Sequence, residues 1–158
     1  MRPPQSFTTQ ITSLFRAYRF ELDNVVPATD NVDILLQVST DGGSTWKATN
    51  YLDQVNSVSN NTVGGRAQLT TSIPLNGAAM SNTTALGGLS GTVTVINPAG
   101  TSHNKMILLQ TTCVRQGGTL IEPITDRANT PAHRLPWTQF VSLPVRGIWR
   151  AARSPCTG

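Results

Sequence analysis

Residues 15–46 read FRAYRFELDNVVPATDNVDILLQVSTDGGSTW, and the spacing of their side chains decides the fold. Tyr18, Phe20 and Leu22 alternate with Arg19, Glu21 and Asp23. That period of two belongs to a strand with one dry face and one wet face. Val25 and Val26 lead into Pro27, which has no N–H to give to a ladder, so the strand is expected to end there. Val32, Ile34, Leu36 and Val38 then resume the alternation against Asp33, Leu35 and Gln37. Asp41-Gly42-Gly43 predicts a tight reversal, because glycine enters the left-handed region without a Cβ penalty. Thr45 to Tyr51 is predicted as the return strand.

The same reading extends outward along the chain. Residues 53–62 are rich in Asn and Ser and are expected to form a loop. Arg66 to Ile73 predicts a strand stopped at Pro74, and Asn76 to Leu89, rich in Gly, Ala, Ser and Thr, predicts a long flexible loop. Strands are expected at Thr92–Ile96 and Lys105–Val114. After a turn at Gly117-Gly118, another is expected at Thr119–Ile124. No segment sustains a 3.6-residue period, and turns recur at short intervals. The expectation is an all-β, antiparallel β-sandwich of jelly-roll-like form.

Composition narrows the class. The chain has 158 residues, of which 13% are charged, which suits one polar, turn-rich β domain rather than a helical bundle. No run of apolar residues is long enough to span a membrane, and the N-terminus lacks the apolar core of a secretory signal. All eight acidic residues lie at or before Asp126. Residues 135–158 hold Arg146, Arg150 and Arg153 and no acid, so the body of the chain is close to neutral and a phosphate-binding patch would have to sit on the tail alone. No nucleic-acid partner is expected. Cys113 and Cys156 have no metal or redox spacing, and Cys113 reads as a reduced, structural thiol.

Ser39-Thr40-Asp41-Gly42-Gly43-Ser44-Thr45-Trp46 matches the Asp-box pattern S-x-D-x-G-x-T-W, which resembles the hairpins of sialidases and other β-propellers. Ser39, Asp41, Gly43 and Trp46 are its structural residues. The Asp accepts from nearby backbone N–H groups, the glycine takes the left-handed position, and the aromatic packs under the hairpin. In those families the motif is structural. Asp23, Asp30, Asp33, Glu122 and Asp126 are the carboxylates that glycoside hydrolysis would need. Their places beside turns and on a wet strand face favour backbone capping instead. His103 and His133 have no companion at ligand spacing. No catalytic, cofactor-binding or metal residue is assigned, no cofactor is expected, and the chain is read as a non-enzyme. Trp46 and Tyr51 are the rings available to stack on a sugar, with packing under the hairpin favoured.

Phe7-Thr8-Thr9, the strand Tyr18 to Leu22, Asn24-Val25-Val26-Pro27-Ala28-Thr29-Asp30, Val38 to Thr45 and Ile96-Asn97-Pro98-Ala99-Gly100-Thr101 together carry a wider likeness. Over residues 7–134 the chain resembles a β-rich domain near the C-terminal end of bacteriophage tail-fibre and other virion surface proteins. The resemblance implies a phage or prophage virion protein, made in the bacterial cytoplasm and located in the virion. The first expectation is a tail-fibre or receptor-binding domain contacting host-surface polysaccharide or protein. The alternatives are a capsid decoration or head-fibre protein and a small carbohydrate-binding module. Other virion proteins are the expected partners, with a homo-oligomer, a trimer by preference. No receptor residue carries over from the family. The loop tips Asn56 to Gly64 and Asn76 to Ser90 are the natural places for contact.

Residues 1–134 are accordingly read as the β-sandwich domain, and residues 135–158 as an irregular tail. In the tail, Pro, Arg and Trp replace the expected alternation. The family usually closes with strands of the kind AIRFL…SGNIASGTFRLYG. Back-translation of LPWTQFVSLPVRGIWRAARSPCTG, read from the third base of each codon, permits AVDAIRFLASSGNMASGTFTLYG. Trp137-Thr138 forces an Asp codon, Cys156-Thr157 permits Tyr and Trp149-Arg150 permits Ala. The tail therefore reads as out of frame after a slip near His133 to Leu135, the alternative being a divergent terminus that packs elsewhere. Sequencing the gene is expected to show that one small insertion or deletion there restores the family ending. A frame that no such change converts to that ending overturns the reading.

Overall fold

The structure of the protein is a computed structural model that describes residues 7, 11–59, 62–77, 79–115, 121–130, 139–140 and 145–153. Its regular elements are strands, apart from one 3-10 turn at Thr84–Leu86, and every strand pairing among the described residues is antiparallel. In chain order the strands are β1 (Ala17–Pro27), β2 (Leu35–Leu36), β3 (Val38–Ser39), β4 (Tyr51–Ser59), β5 (Thr62–Thr70), β6 (Ile73–Pro74), β7 (Leu89–Ile96), β8 (Lys105–Val114), β9 (Ile121–Thr130), β10 (Gln139–Phe140) and β11 (Val145–Arg153). Seven of them form one sheet in the order β11-β1-β7-β8-β9-β4-β5. The short pairs β3–β10 and β2–β6 make two further ladders. The fold is thus all-β and sandwich-like, as the alternating sequence pattern predicts.

Side-chain alternation decides which face of the large sheet is dry. Tyr18, Phe20 and Leu22 of β1, Val93 and Val95 of β7, and Ile107, Leu109 and Cys113 of β8 all point into one buried cluster. Residues at the intervening positions, such as Arg19, Glu21, Gln110 and Met106, are exposed. The cluster is completed by Ile34, Leu36, Val38, Ile73, Leu75 and Met80, which come from the short ladders and the chain joining them. Phe7 packs its ring against Phe20 at 5.1 Å between centroids, and Phe15 meets Tyr18 edge-on at 5.8 Å. Such tilted aromatic pairs add about 0.5–1.5 kcal/mol beyond the area they bury.

Several expectations need correction. The Asn/Ser-rich stretch 53–62 is ladder rather than loop: β4 runs on to Ser59, paired with β5 from Tyr51↔Thr70 to Ser59↔Thr62. Residues 60 and 61 lie outside the described residues. Arg66 to Ile73 does not form one strand either. β5 stops at Thr70, and Ile73–Pro74 turns away to pair with Leu35–Leu36. Pro74 is tolerated because a two-residue ladder leaves its missing N–H facing no further strand. Thr45 to Tyr51 is not a return strand, since regular pairing begins only at Tyr51. In the tail, read as irregular, β10 pairs with β3 and β11 pairs with β1 from Tyr18↔Arg153 to Pro27↔Val145. A ladder is built from backbone groups that every residue except proline carries. It forms without the side-chain alternation whose loss suggested irregularity.

Three backbone devices fit the sheet together. β1 slips register against both neighbours after Leu22 and Asp23, where Asn24 takes a left-handed φ of 50°. That is the geometry of a β-bulge, and Ser90 Oγ accepts the Asn24 N–H at 3.0 Å. Pro123 of β9 lies opposite Thr112 of β8, one residue beyond the last recorded pair with β4, Ser57↔Ile124. Proline is thereby placed where one side of its strand needs no donor. Gly91 of β7 has φ 143°, and a Cβ there would collide with the carbonyl oxygen of Gln110.

Gly91→Ala is therefore expected to cost at least about 2 kcal/mol, from backbone strain and steric overlap together. Gly64 of β5 has ordinary φ and meets only the rotatable Ser57 hydroxyl at 3.3 Å. Gly64→Ala is expected to stay within about 1 kcal/mol of the parent. Urea unfolding of both variants checks this, and equal losses would show that the Gly91 geometry is not a constraint.

Candidate functional site

The chain between β3 and β4 makes one loop, residues 40–50, held at two levels. Within the loop, Asp41 Oδ1 accepts from the Ser39 hydroxyl at 2.7 Å and from the Thr45 N–H at 2.9 Å. Its Oδ2 accepts from the Thr45 hydroxyl. Ser39 Oγ in turn accepts from the N–H groups of Gly43 at 2.9 Å and Asp41 at 3.3 Å. Gly42 and Gly43 take φ of 76° and 83°, conformations that a side chain would strain. Ser39 itself is buried, while Asp41, Ser44 and Thr45 are exposed and Trp46 is half-buried.

The second level is at the loop's base. Lys47 N donates to Val38 O at 2.9 Å, closing the loop with a single backbone rung. Beneath it lies the Tyr51 ring, fully buried. Its hydroxyl accepts from Val38 N at 2.9 Å and donates to Lys47 O at 3.1 Å. One phenol therefore binds both ends of the loop. Burial pushes its pKa up to about 12. The Asp41 carboxyl goes the other way, held well below the usual carboxylate range by the Thr45 and Ser39 hydroxyls and the Thr45 N–H. At neutral pH it is ionised and has no proton to offer.

The sequence-derived motif residues Ser39, Asp41, Gly43 and Trp46 thus meet in one turn, although its return arm is not a strand. Tyr51, considered for sugar stacking, has no exposed face. Trp46 is half-buried.

A neighbouring loop system joins residues 30–34 to residues 75–82. Asn76 is buried; its Oδ1 accepts from Ile34 N at 2.6 Å and its Nδ2 donates to Asp33 Oδ1 at 2.8 Å. Leu75 N donates to Ile34 O at 2.7 Å, and Met80 N to Val32 O at 2.9 Å. Asp30 Oδ1 accepts from Asn82 N at 3.0 Å. The Thr111 hydroxyl of β8 reaches up to Leu75 O at 2.6 Å and ties this layer to the large sheet. The stretch from Asn76 to Ser90, expected to be a flexible surface tip, is thus partly core, with Met80 and Leu89 fully buried. The other expected tip, Asn56 to Gly64, belongs to strands β4 and β5 on either side of residues 60 and 61. Val63 there is exposed.

Of the carboxylates considered for hydrolysis, the three whose side chains are described, Asp23, Asp30 and Asp33, have separate roles. Asp30 and Asp33 anchor separate loop contacts, and Asp23 is exposed at the bulge in β1. Glu122 and Asp126 lie on β9, whose side chains are outside the description. His103 is exposed in the connection between β7 and β8; His133 and Cys156 lie outside the described residues. Among the described residues no group of three His, Cys, Asp or Glu could hold a metal ion. The sequence reading missed Asn76 and two buried ionisable residues. Asp53 of β4 is fully buried. Lys105 of β8 is buried too, its ammonium donating to Gly100 O, and burial lowers its pKa. The alternation of Ile73 and Leu75 across Pro74 was the available signal that residues 73–76 turn inward.

Comparison with protein-family models, curated proteins and solved structures finds no match to this chain.

Tyr51→Phe is expected to leave Val38 N–H buried without its acceptor and to cost about 1–3 kcal/mol in urea unfolding. Because the folded phenol titrates above its ordinary value of about 10, its contribution is intact below that pH and is lost as pH rises toward 12. Stability measured against pH should show that alkaline loss in the parent, with the Tyr51 share absent from the variant. Asp41 has the opposite sign. Its folded pKa is depressed, so its contribution is present above about pH 4 and fades as acid protonates the carboxylate. Asp41→Ala should be less stable than the parent at neutral pH, with the difference shrinking in acid; a pH-independent difference would show that the carboxylate charge is not what holds the loop.

Proposed function

We propose that the protein is a non-enzymatic structural component of a phage virion, and specifically a tail-fibre or receptor-binding domain that touches the host surface. The observation that carries this reading is the 40–50 loop. It is locked from inside by Asp41 and from below by Tyr51, yet leaves Ser44, Thr45, Ala48 and Thr49 exposed beside a half-buried Trp46. A recognition surface already held in one shape loses little conformational entropy on binding. A half-buried tryptophan at a loop surface supplies the kind of ring, apolar in body with a polar N–H, that suits a saccharide or a polar protein surface. The resemblance of residues 7–134 to fibre domains supports the same reading. The use of Asp30, Asp33 and Asp41 as loop anchors supports binding over hydrolysis.

In this reading the chain works as a homo-oligomer, a trimer by preference. A weak grip per copy then becomes firm adhesion through several linked copies. The experiment uses the fluorescently labelled full chain on host cells and, separately, on purified virions. Staining of host envelopes that falls several-fold in Trp46→Ala is the expected result. A chain that ignores cells and coats virions would move the assignment to capsid decoration. Light scattering should return three times the chain mass of 16.9 kDa. A monomer mass would remove the trimer and leave receptor contact standing.

A further inference from the structure

We draw no further inference here: the strongest candidate, the outward-facing patch of Ile96, Met106 and Leu108 on strands β7 and β8, is an exposed apolar sheet face, and nothing in the structure shows what covers it.

Discussion

The dry face of the large sheet has to be covered, and the chain that covers it has almost no ladder of its own. β2, β3, β6 and β10 are two residues long each. Every peptide group buried beneath that cover must still find a partner, because an unmet buried donor or acceptor costs about 1–3 kcal/mol. Side chains do what a second sheet would otherwise do. Asn76 stands in for a neighbouring strand at Ile34, and the Tyr51 phenol does so at Val38. The Thr111 hydroxyl meets the Leu75 carbonyl from the opposite layer. At the start of the chain Tyr18 takes the N–H of Thr12 and donates to its carbonyl. Each of these groups is polar, central and bonded to backbone, so the irregular layer is specified as tightly as a sheet would be.

That arrangement explains why the two tyrosines of the chain are both in the core. A phenol fills space like phenylalanine and carries one group able to accept and donate at once. Placed under the base of a loop, it meets an N–H and a C=O that face each other across the closure. Phenylalanine would fill the same volume and leave both groups unmet. The sheet beneath depends on backbone geometry in a different way. Asn24 takes the left-handed turn of the bulge, the glycine at position 91 sits where a Cβ would collide with the neighbouring strand, and Pro123 sits where one side of its strand needs no donor.

Much of the large sheet was legible because its strands have one wet face. β8 alternates throughout and β1 as far as Leu22, so the buried residues there are those the period of two selects. The cover was much less legible. Its residues do not alternate over a useful length, and its cohesion comes from contacts between residues 42 or 43 positions apart, such as Asn76 with Ile34 and Asp33. A run of Asn, Ser, Gly and Thr looks the same whether it frays or folds against a core, since the deciding partner is elsewhere in the chain. β4 and β5 were misread for a related reason. Asn and Ser have low strand propensity, but propensity yields to pairing when a hairpin docks on a sheet. The Asp41 turn was legible because its bonds are local, all within four residues. Tyr51 was not, because the role of its hydroxyl depends on the loop closing over it.

The division between local and distant bonds also separates what the loop must keep from what it can change. Ser39, Asp41 and Thr45 spend their side chains on the turn itself, and Gly42 and Gly43 spend their freedom on its backbone. Ser44 gives only one exposed contact, to the Asp41 carbonyl at 3.1 Å. Ala48 and Thr49 are exposed. Replacing Ser44 or Ala48 changes the outer surface while the base, closed by Tyr51 and the Lys47–Val38 rung, keeps its shape. In the receptor-binding role proposed above, that separation would let specificity change without each change being selected against through lost stability. The loop's fold is thus written in residues other than those it presents.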